Sequence, residues 1–323
     1  MAASTNPSTS SSSYTTTPQT YHTDKTSAYL LPNSSPEHDR LNTQAAHLRA
    51  IMNDQIIHSP LPPSTPNLRI LDVGCGTGIV TRDLALRFPN AEVWGLDLSD
   101  VPPPRAEDGP FPSNIKGFLK GNILTGGGPS SWTDQSGEKP FAAGDVQDVE
   151  FNLIFSRLLI AGMADWPSYI ATVHDLLAPG GYFEMHELNY DFYSGITGEV
   201  ISESWSWLQT CRSAMEGRGL DPRSASKAHT WMAEAGFRDV VVKQYRWPFG
   251  GEWEEDEKWK AWGDYVATSM PELFWVMIGR ILEGTAGKEV VERTREQMMA
   301  DLRPEKGKEW RMSVVVGRKA GEK

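Results

Sequence analysis

Ile70-Leu71-Asp72-Val73-Gly74-Cys75-Gly76-Thr77-Gly78 is the stretch on which the reading of this chain turns, and Val93-Trp94-Gly95-Leu96-Asp97 completes it. An apolar run, an acid, three alternating glycines and a second acid one β-α-β step later describe a nucleoside pocket. A dinucleotide-binding turn reads G-x-G-x-x-G, its third glycine letting the helix pack close beneath a pyrophosphate. That glycine would stand at Ile79; it stands at Gly78 instead. No Gly-Lys-Ser or Gly-Lys-Thr follows to hold a triphosphate, so a P-loop is excluded as well.

Outward from this turn, Leu68 to Val73 reads as the first buried strand. Val80, Leu84 and Phe88 recur at four-residue spacing and predict a helix lying on the sheet. Pro89-Asn90 stops it, Ala91 to Leu96 forms a second strand and Ile115 to Leu119 a third. Phe151 to Phe155 reads as a buried strand, Tyr169 to Leu177 as a helix ending at Pro179-Gly180-Gly181, and Tyr182 to Glu187 as the next strand. This alternation argues for a doubly wound, mostly parallel sheet. Upstream, Glu37 to His58 reads as a helix ended by the proline-rich Pro60-Leu61-Pro62-Pro63-Ser64-Thr65-Pro66. Thr125 to Asp148, with few apolar residues, reads as an extended surface insertion. Beyond Glu187 the rhythm changes to an aromatic-rich Asn189 to Leu220. A helix from Ser224 to Ala235 capped by Gly236 and a strand from Val240 to Arg246 follow. Helices over Trp259–Ser269, Glu272–Leu282 and Lys288–Leu302 precede a last strand, Arg311 to Val316.

Composition narrows the function classes. Among 323 residues, 39% hydrophobic with 12 Trp, there is enough apolar matter for a core and an indole-lined pocket. The net charge of −11 and the lack of a long Lys/Arg run argue against a grip on nucleic acid, which rests on neutralising phosphates. With only Cys75 and Cys211, and Cys75 inside the glycine turn, neither a disulfide framework nor a zinc site is expected, and no metal is assigned. The first 28 residues are mostly Ser, Thr, Pro and Ala, with no basic residue before Lys25. They predict a disordered tail rather than a secretory or transit signal. No window reaches the ~18 consecutive apolar residues of a membrane span. The expectation is a soluble cytoplasmic protein, with the nucleus as a second location and no membrane partner.

The pattern D-x-G-x-G-x-G resembles motif I of the class I S-adenosylmethionine-dependent methyltransferases. The resemblance narrows to the fungal LaeA-like (TAM-domain) methyltransferases. Its carriers are Tyr29-Leu30-Leu31-Pro32-Asn33 with Glu37, Asp39, Arg40 and Leu41, then Gly95-Leu96-Asp97-Leu98-Ser99, Ser156-Arg157 and Asp165-Trp166. Leu177-Ala178-Pro179-Gly180-Gly181 with Glu184 and Glu187, Ala235-Gly236-Phe237 and Gly317-Arg318-Lys319 extend it. It implies an α/β class I methyltransferase fold: a Rossmann-like sheet, mostly parallel with the last strand antiparallel, and an inserted helical cap. The chain then divides into a disordered tail (1–28), a leading helical segment and linker (29–66) and a donor-binding core (67–188). A first cap segment (189–223), a core helix and strand (224–247), a helical second cap segment (248–306) and a final core strand with tail (307–323) follow. Two departures stand out. The family's histidine after its Arg-Leu pair aligns with Ala45, leaving His47 as the nearest substitute, and the Gly126–Gly144 insertion is atypical.

The resemblance implies S-adenosylmethionine as co-substrate. Gly74, Gly76 and Gly78 would let the backbone approach this donor, and Asp72 would offer charge near its ammonium and sulfonium. Asp97 would accept the ribose hydroxyls. Asn122 would meet the adenine or serve as an ordinary turn residue. Ser156 and Arg157 end a strand facing the same crevice, where Arg157 would clamp the donor carboxylate or pair with a core acid. Tyr29, Cys75, Leu98 and Ile123 complete the expected donor set. His186 and Glu187 are the candidate general bases; neighbours on a strand face opposite ways, so one at most would meet the acceptor. Trp205, Trp207, Trp253, Trp259, Trp262 and Trp275 form either a substrate cage or the core of the cap. The expected reaction is O- or N-methylation of a small natural product, with a fungal role in secondary metabolism implied by the resemblance. The alternative is a nuclear regulator acting through partner proteins. An enzyme of the first kind should carry a pocket beneath the cap.

Overall fold

The computed structural model of the chain describes residues 31, 33–125, 128–141, 149–282 and 286–321. The tail expected over 1–28 and Tyr29 lie outside them, as does part of the insertion. In chain order the elements are α1 (Ser35–Ile51), β1 (Arg69–Val73), α2 (Ile79–Arg87), β2 (Glu92–Asp97), β3 (Ile115–Lys120), β4 (Thr133–Asp134) and β5 (Phe151–Arg157). There follow α3 (Trp166–Leu176), β6 (Leu177–Leu188), β7 (Tyr193–Ser194), α4 (Ser206–Glu216), α5 (Ser224–Glu234), β8 (Arg238–Pro248), α6 (Glu257–Leu282), α7 (Lys288–Asp301) and β9 (Lys308–Arg318).

The strands make one sheet, ordered β4-β3-β2-β1-β5-β6-β9; β7 pairs with the start of β9, and β8 runs along its length. β3, β2, β1, β5 and β6 are mutually parallel, whereas β9 is antiparallel to both β6 and β8. Central parallel strands are covered on both faces and so read as continuous apolar runs; Ile70, Leu71 and Val73 of β1 are all buried. One face packs α3 and α5 through Trp166, Tyr169, Ile170, Val173, Ala228 and Met232. The other packs α2 through Val80, Leu84 and Ala85. A third cluster joins α1, α4, α6 and α7 above the sheet, around Trp207, Phe192, Trp262 and Phe274. This is the expected α/β architecture with its helical cap.

Three expectations are corrected. The first helix stops at Ile51, seven residues short of His58, because Asn53 and Asp54 take left-handed conformations (φ 54° and 59°) that an α-helix cannot propagate. The two helices expected on either side of Met270 are one helix, α6, running through Pro271. Proline removes one helical hydrogen bond, but Met270, Phe274, Met277 and Ile278 are all buried, and their packing holds the helix together. The insertion is not wholly a surface loop. Its described part adds β4 to the sheet edge and drives Trp132 into the core with no exposed surface.

Candidate active site

Sequence placed an acid at the end of each of the first two parallel strands, and the register sets them side by side. Asp72 of β1 pairs with Gly95, and Asp97 closes β2 two residues later. Between them the glycine turn reverses the chain, with Gly74 and Gly78 at φ 70° and 75°. A Cβ on Gly74 would lie 2.3 Å from a Leu159 methyl, and one on Gly78 would lie 2.9 Å from the Phe118 ring. These two glycines are therefore required by the chain's own packing, not only by approach to a ligand. The Asp97 carboxylate ties the turn together, accepting hydrogen bonds from the backbone N–H of Gly76 (2.8 Å) and of Ser99 (2.9 Å).

Above the turn lies a cavity of ≈ 250 Å³ with two unlike halves. Asp72, Gly74, Cys75, Gly76, Asp97, Leu98, Asn122, Ile123 and Arg157 line one side, so nine of the expected donor residues come together. Gly78 and Ser156 do not line it. Gly78 packs on Phe118 and Val101, while Ser156 is fully buried beside the Tyr169 hydroxyl behind the sheet. The far side is formed by Ile160, Leu188, Tyr190, Trp247, Met270, Leu273 and Trp310, drawn from β6, β8, α6, β9 and intervening loops.

Charge inside the cavity is spare and deliberate. Asp72 is fully buried and accepts from the Thr81 hydroxyl at 2.7 Å. Burial pushes its carboxyl up to about 7, against the opposing Thr81 hydrogen bond and the Arg157 charge. Desolvation also lowers Arg157, with Asp72 opposing. A cation and an acid whose carboxyl stands at about 7 thus flank one end of the cavity, a pairing suited to a ligand that carries both signs of charge. Asn122 lines the cavity, and its Oδ1 accepts the Leu124 N–H at 3.0 Å as a turn asparagine does.

His186 and Glu187 stand otherwise than the sequence suggested. Among the described residues neither lines the cavity. His186 is fully buried on the α2 side of β6, its Nε2 2.7 Å from Glu184 Oε1 and its ring edge-on to Phe155. Glu187 points to the opposite face, where its Oε1 accepts the Leu159 N–H at 2.6 Å. The strand's last residue to reach the cavity is Leu188. The pair sits one residue too deep, and Glu187 positions the 159–164 loop that forms part of the wall.

The cap indoles resolve into packing. Trp207 and Trp262 are buried in the cap core, with Trp205, Trp259 and Trp275 packed against it, and Trp253 is exposed. None of the six lines the cavity; Trp247 and Trp310 do. His47 stacks near Tyr265 and Trp262 (ring centroids 4.9 and 5.9 Å), joining α1 to α6 rather than reaching the cavity.

Sequence reasoning missed the contribution of α1, whose Glu37, His38, Arg40, Leu41 and Gln44 line the cavity. Arg40 donates to Glu37 through Nε (2.8 Å) and Nη2 (2.6 Å), and both side chains are buried. Acid and arginine three residues apart on a helix was the available signal, since such a pair survives burial when its geometry is bidentate.

A model of the methyltransferase domain matches residues 41–242. The methyltransferase pytC of Aspergillus terreus is 27% identical over 78% of this chain and 70% of its own length. The secondary metabolism regulator laeA of Aspergillus fumigatus is 28% identical over 74% of this chain, which spans only 58% of that relative. Among solved structures, phosphoethanolamine N-methyltransferase 2 of Haemonchus contortus, in complex with S-adenosyl-L-methionine, aligns with a TM-score of 0.42 and 15% identity. That alignment covers 86% of this chain and 52% of the other. The chain belongs to the methyltransferase-domain family and is similar to the fungal laeA and pytC proteins.

Proposed function

We propose that the protein transfers a methyl group from S-adenosylmethionine to a hydroxyl or amine of a small, ring-bearing natural product in fungal secondary metabolism. The observation that carries this reading is the two-sided cavity: a polar half built on the glycine turn opens directly onto an apolar half built by the cap. S-adenosylmethionine supplies an electrophilic methyl on a positively charged sulfur. Asp97, at the end of β2 on the cavity wall, suits the ribose hydroxyls. Arg157 and Asp72 suit the carboxylate and the ammonium of the amino-acid end, and Leu98, Asn122 and Ile123 suit the base. The apolar wall aligns the acceptor and excludes water, which is most of what an in-line displacement requires.

Ile160, Leu188, Tyr190, Trp247, Met270, Leu273 and Trp310 bring no carboxylate or imidazole to the apolar half, and the acid and imidazole that α1 adds to the wall, Glu37 and His38, are engaged by Arg40 and Asn33. This favours an acceptor such as a phenol, whose proton needs little help to leave. The histidine on the cavity wall is His38, with Nε2 2.6 Å from Asn33 Oδ1. Incubating the protein with methyl-labelled S-adenosylmethionine and a metabolite extract of its source should label a small molecule. Label found only on proteins would favour a laeA-type regulator. Absence of S-adenosylmethionine and S-adenosylhomocysteine binding in calorimetry would overturn the reading altogether.

A further inference from the structure

Glu184 and His186 stand two residues apart on one face of β6, and His58 reaches them from the linker between α1 and β1. His186 Nε2 lies 2.7 Å from Glu184 Oε1, and His58 Nδ1 lies 3.3 Å from the same oxygen. One ligand-type atom from each residue falls within 4.8 Å of the other two. Glu184 and His186 are fully buried, while the His58 side chain keeps 10% of its surface, which leaves a path from solvent. None of the three lines the donor cavity.

We propose that His58, Glu184 and His186 bind a divalent transition-metal cation, with zinc the best match. Two imidazole nitrogens and one carboxylate oxygen form a zinc ligand set; bonds of about 2.0–2.1 Å in a tetrahedron put neighbouring ligand atoms about 3.3 Å apart. To admit the ion the 2.7 Å contact must open and the imidazole nitrogens, within 4.8 Å of each other, must settle to that spacing, while the 3.3 Å contact already matches it. Coordination takes the lone pairs of His58 Nδ1 and His186 Nε2, and the proton that each neutral ring now directs at Glu184 moves to its other nitrogen, His58 Nε2 beside the Tyr245 hydroxyl and His186 Nδ1. Among the described residues the hydrogen-bond donors to this buried carboxylate come from His58, Ser59 and His186 rather than from a lysine or an arginine, so the cation also neutralises it.

The outer partners suit this role. Glu184 accepts from the backbone N–H groups of His58 (2.8 Å) and Ser59 (2.7 Å) and from the Ser59 hydroxyl (2.7 Å), which fix its orientation. His58 Nε2 lies 2.8 Å from the Tyr245 hydroxyl, which leaves Nδ1 to face the carboxylate. A bound ion would clamp the linker behind α1 to β6. Counting cysteines could not reveal this set, because His58 and Glu184 are 126 positions apart.

The test uses the full chain, stripped with a chelator and titrated with zinc chloride by calorimetry, with thermal unfolding in parallel. One equivalent should bind, with a rise in the unfolding midpoint, and cobalt(II) should give the visible absorption of a tetrahedral site. His58→Gln, near the surface, keeps the fold and should weaken binding at least tenfold, as should His186→Gln. No uptake by the stripped protein would overturn the proposal. So would uptake that survives both substitutions, since surface histidines such as His229 would then hold the ion.

Discussion

Replacing Glu187 by Gln should flatten the dependence of stability on pH. Burial pushes this carboxyl from 4.5 up to about 8, against the opposing backbone N–H groups of Leu159, Ile160 and Leu188. A raised folded pKa means that the native state keeps its proton where the unfolded chain has lost it. The stability of the neutral group is therefore complete below pH 4.5 and is lost as pH climbs from there to about 8. Between pH 5 and pH 8 this single group costs about 3–4 kcal/mol. Glu187→Gln keeps an oxygen for the Leu159 N–H, now held at 2.6 Å, and carries no charge at any pH. The two proteins should melt together near pH 5. At pH 8 the variant should melt about 6 °C or more above the wild type, at roughly 2 °C per kcal/mol for a chain of this size. Differential scanning calorimetry at pH 5, 6, 7 and 8 measures the gap. Asp72 titrates in both proteins and cancels in the difference. A gap that stays constant with pH, or closes as pH rises, would refute the reasoning.

Asp97→Ala removes the acceptor of two backbone N–H groups and the proposed ribose ligand. Donor affinity in calorimetry should fall about 10- to 100-fold, the worth of hydrogen bonds to a charged group, with circular dichroism unchanged. A cation bound beside Asp72, whose carboxyl stands at about 7, favours its ionised form. Affinity for S-adenosylmethionine should thus weaken as pH drops below 7, approaching tenfold per unit, and Asp72→Asn should abolish that slope. Leu273→Trp fills the apolar half of the cavity. Acceptor turnover should collapse while donor affinity stays within about twofold, because overpacking there leaves the glycine turn untouched.

The donor half was legible because its chemistry is local in sequence: Asp72 through Gly78 is one turn, and Asp97 is one strand further on. Asn122 and Arg157 followed from strand order, since each ends a parallel strand at the same edge of the sheet. The acceptor half was not legible. Trp247 and Trp310 reach the cavity from the facing ends of two antiparallel strands, while Trp207 and Trp262 turn into the cap core, and nothing local distinguishes these indoles. His186 and Glu187 failed by one residue of depth, a distance set by where β6 ends rather than by residue type. Pro271 misled in the opposite sense: its local cost is real, but the burial of α6 outweighs it.

The position of β9 bears on how the molecule comes into being. This strand leaves the ribosome after every other strand of the sheet, yet it sits between β6 and β8 and supplies Trp310 to the cavity. Until it docks, β6 presents a bare edge of Phe-, Met- and Leu-bearing backbone and β8 has no strand partner among the described residues, so the nascent chain carries an open template for mispairing. Closure of the sheet is a long-range event, joining residues near 185 and 315 and entropically slow for that reason. Synthesis and maturation of the cavity are therefore separate steps: a chain stalled before Lys308 would hold its complete glycine turn and still have no acceptor chamber.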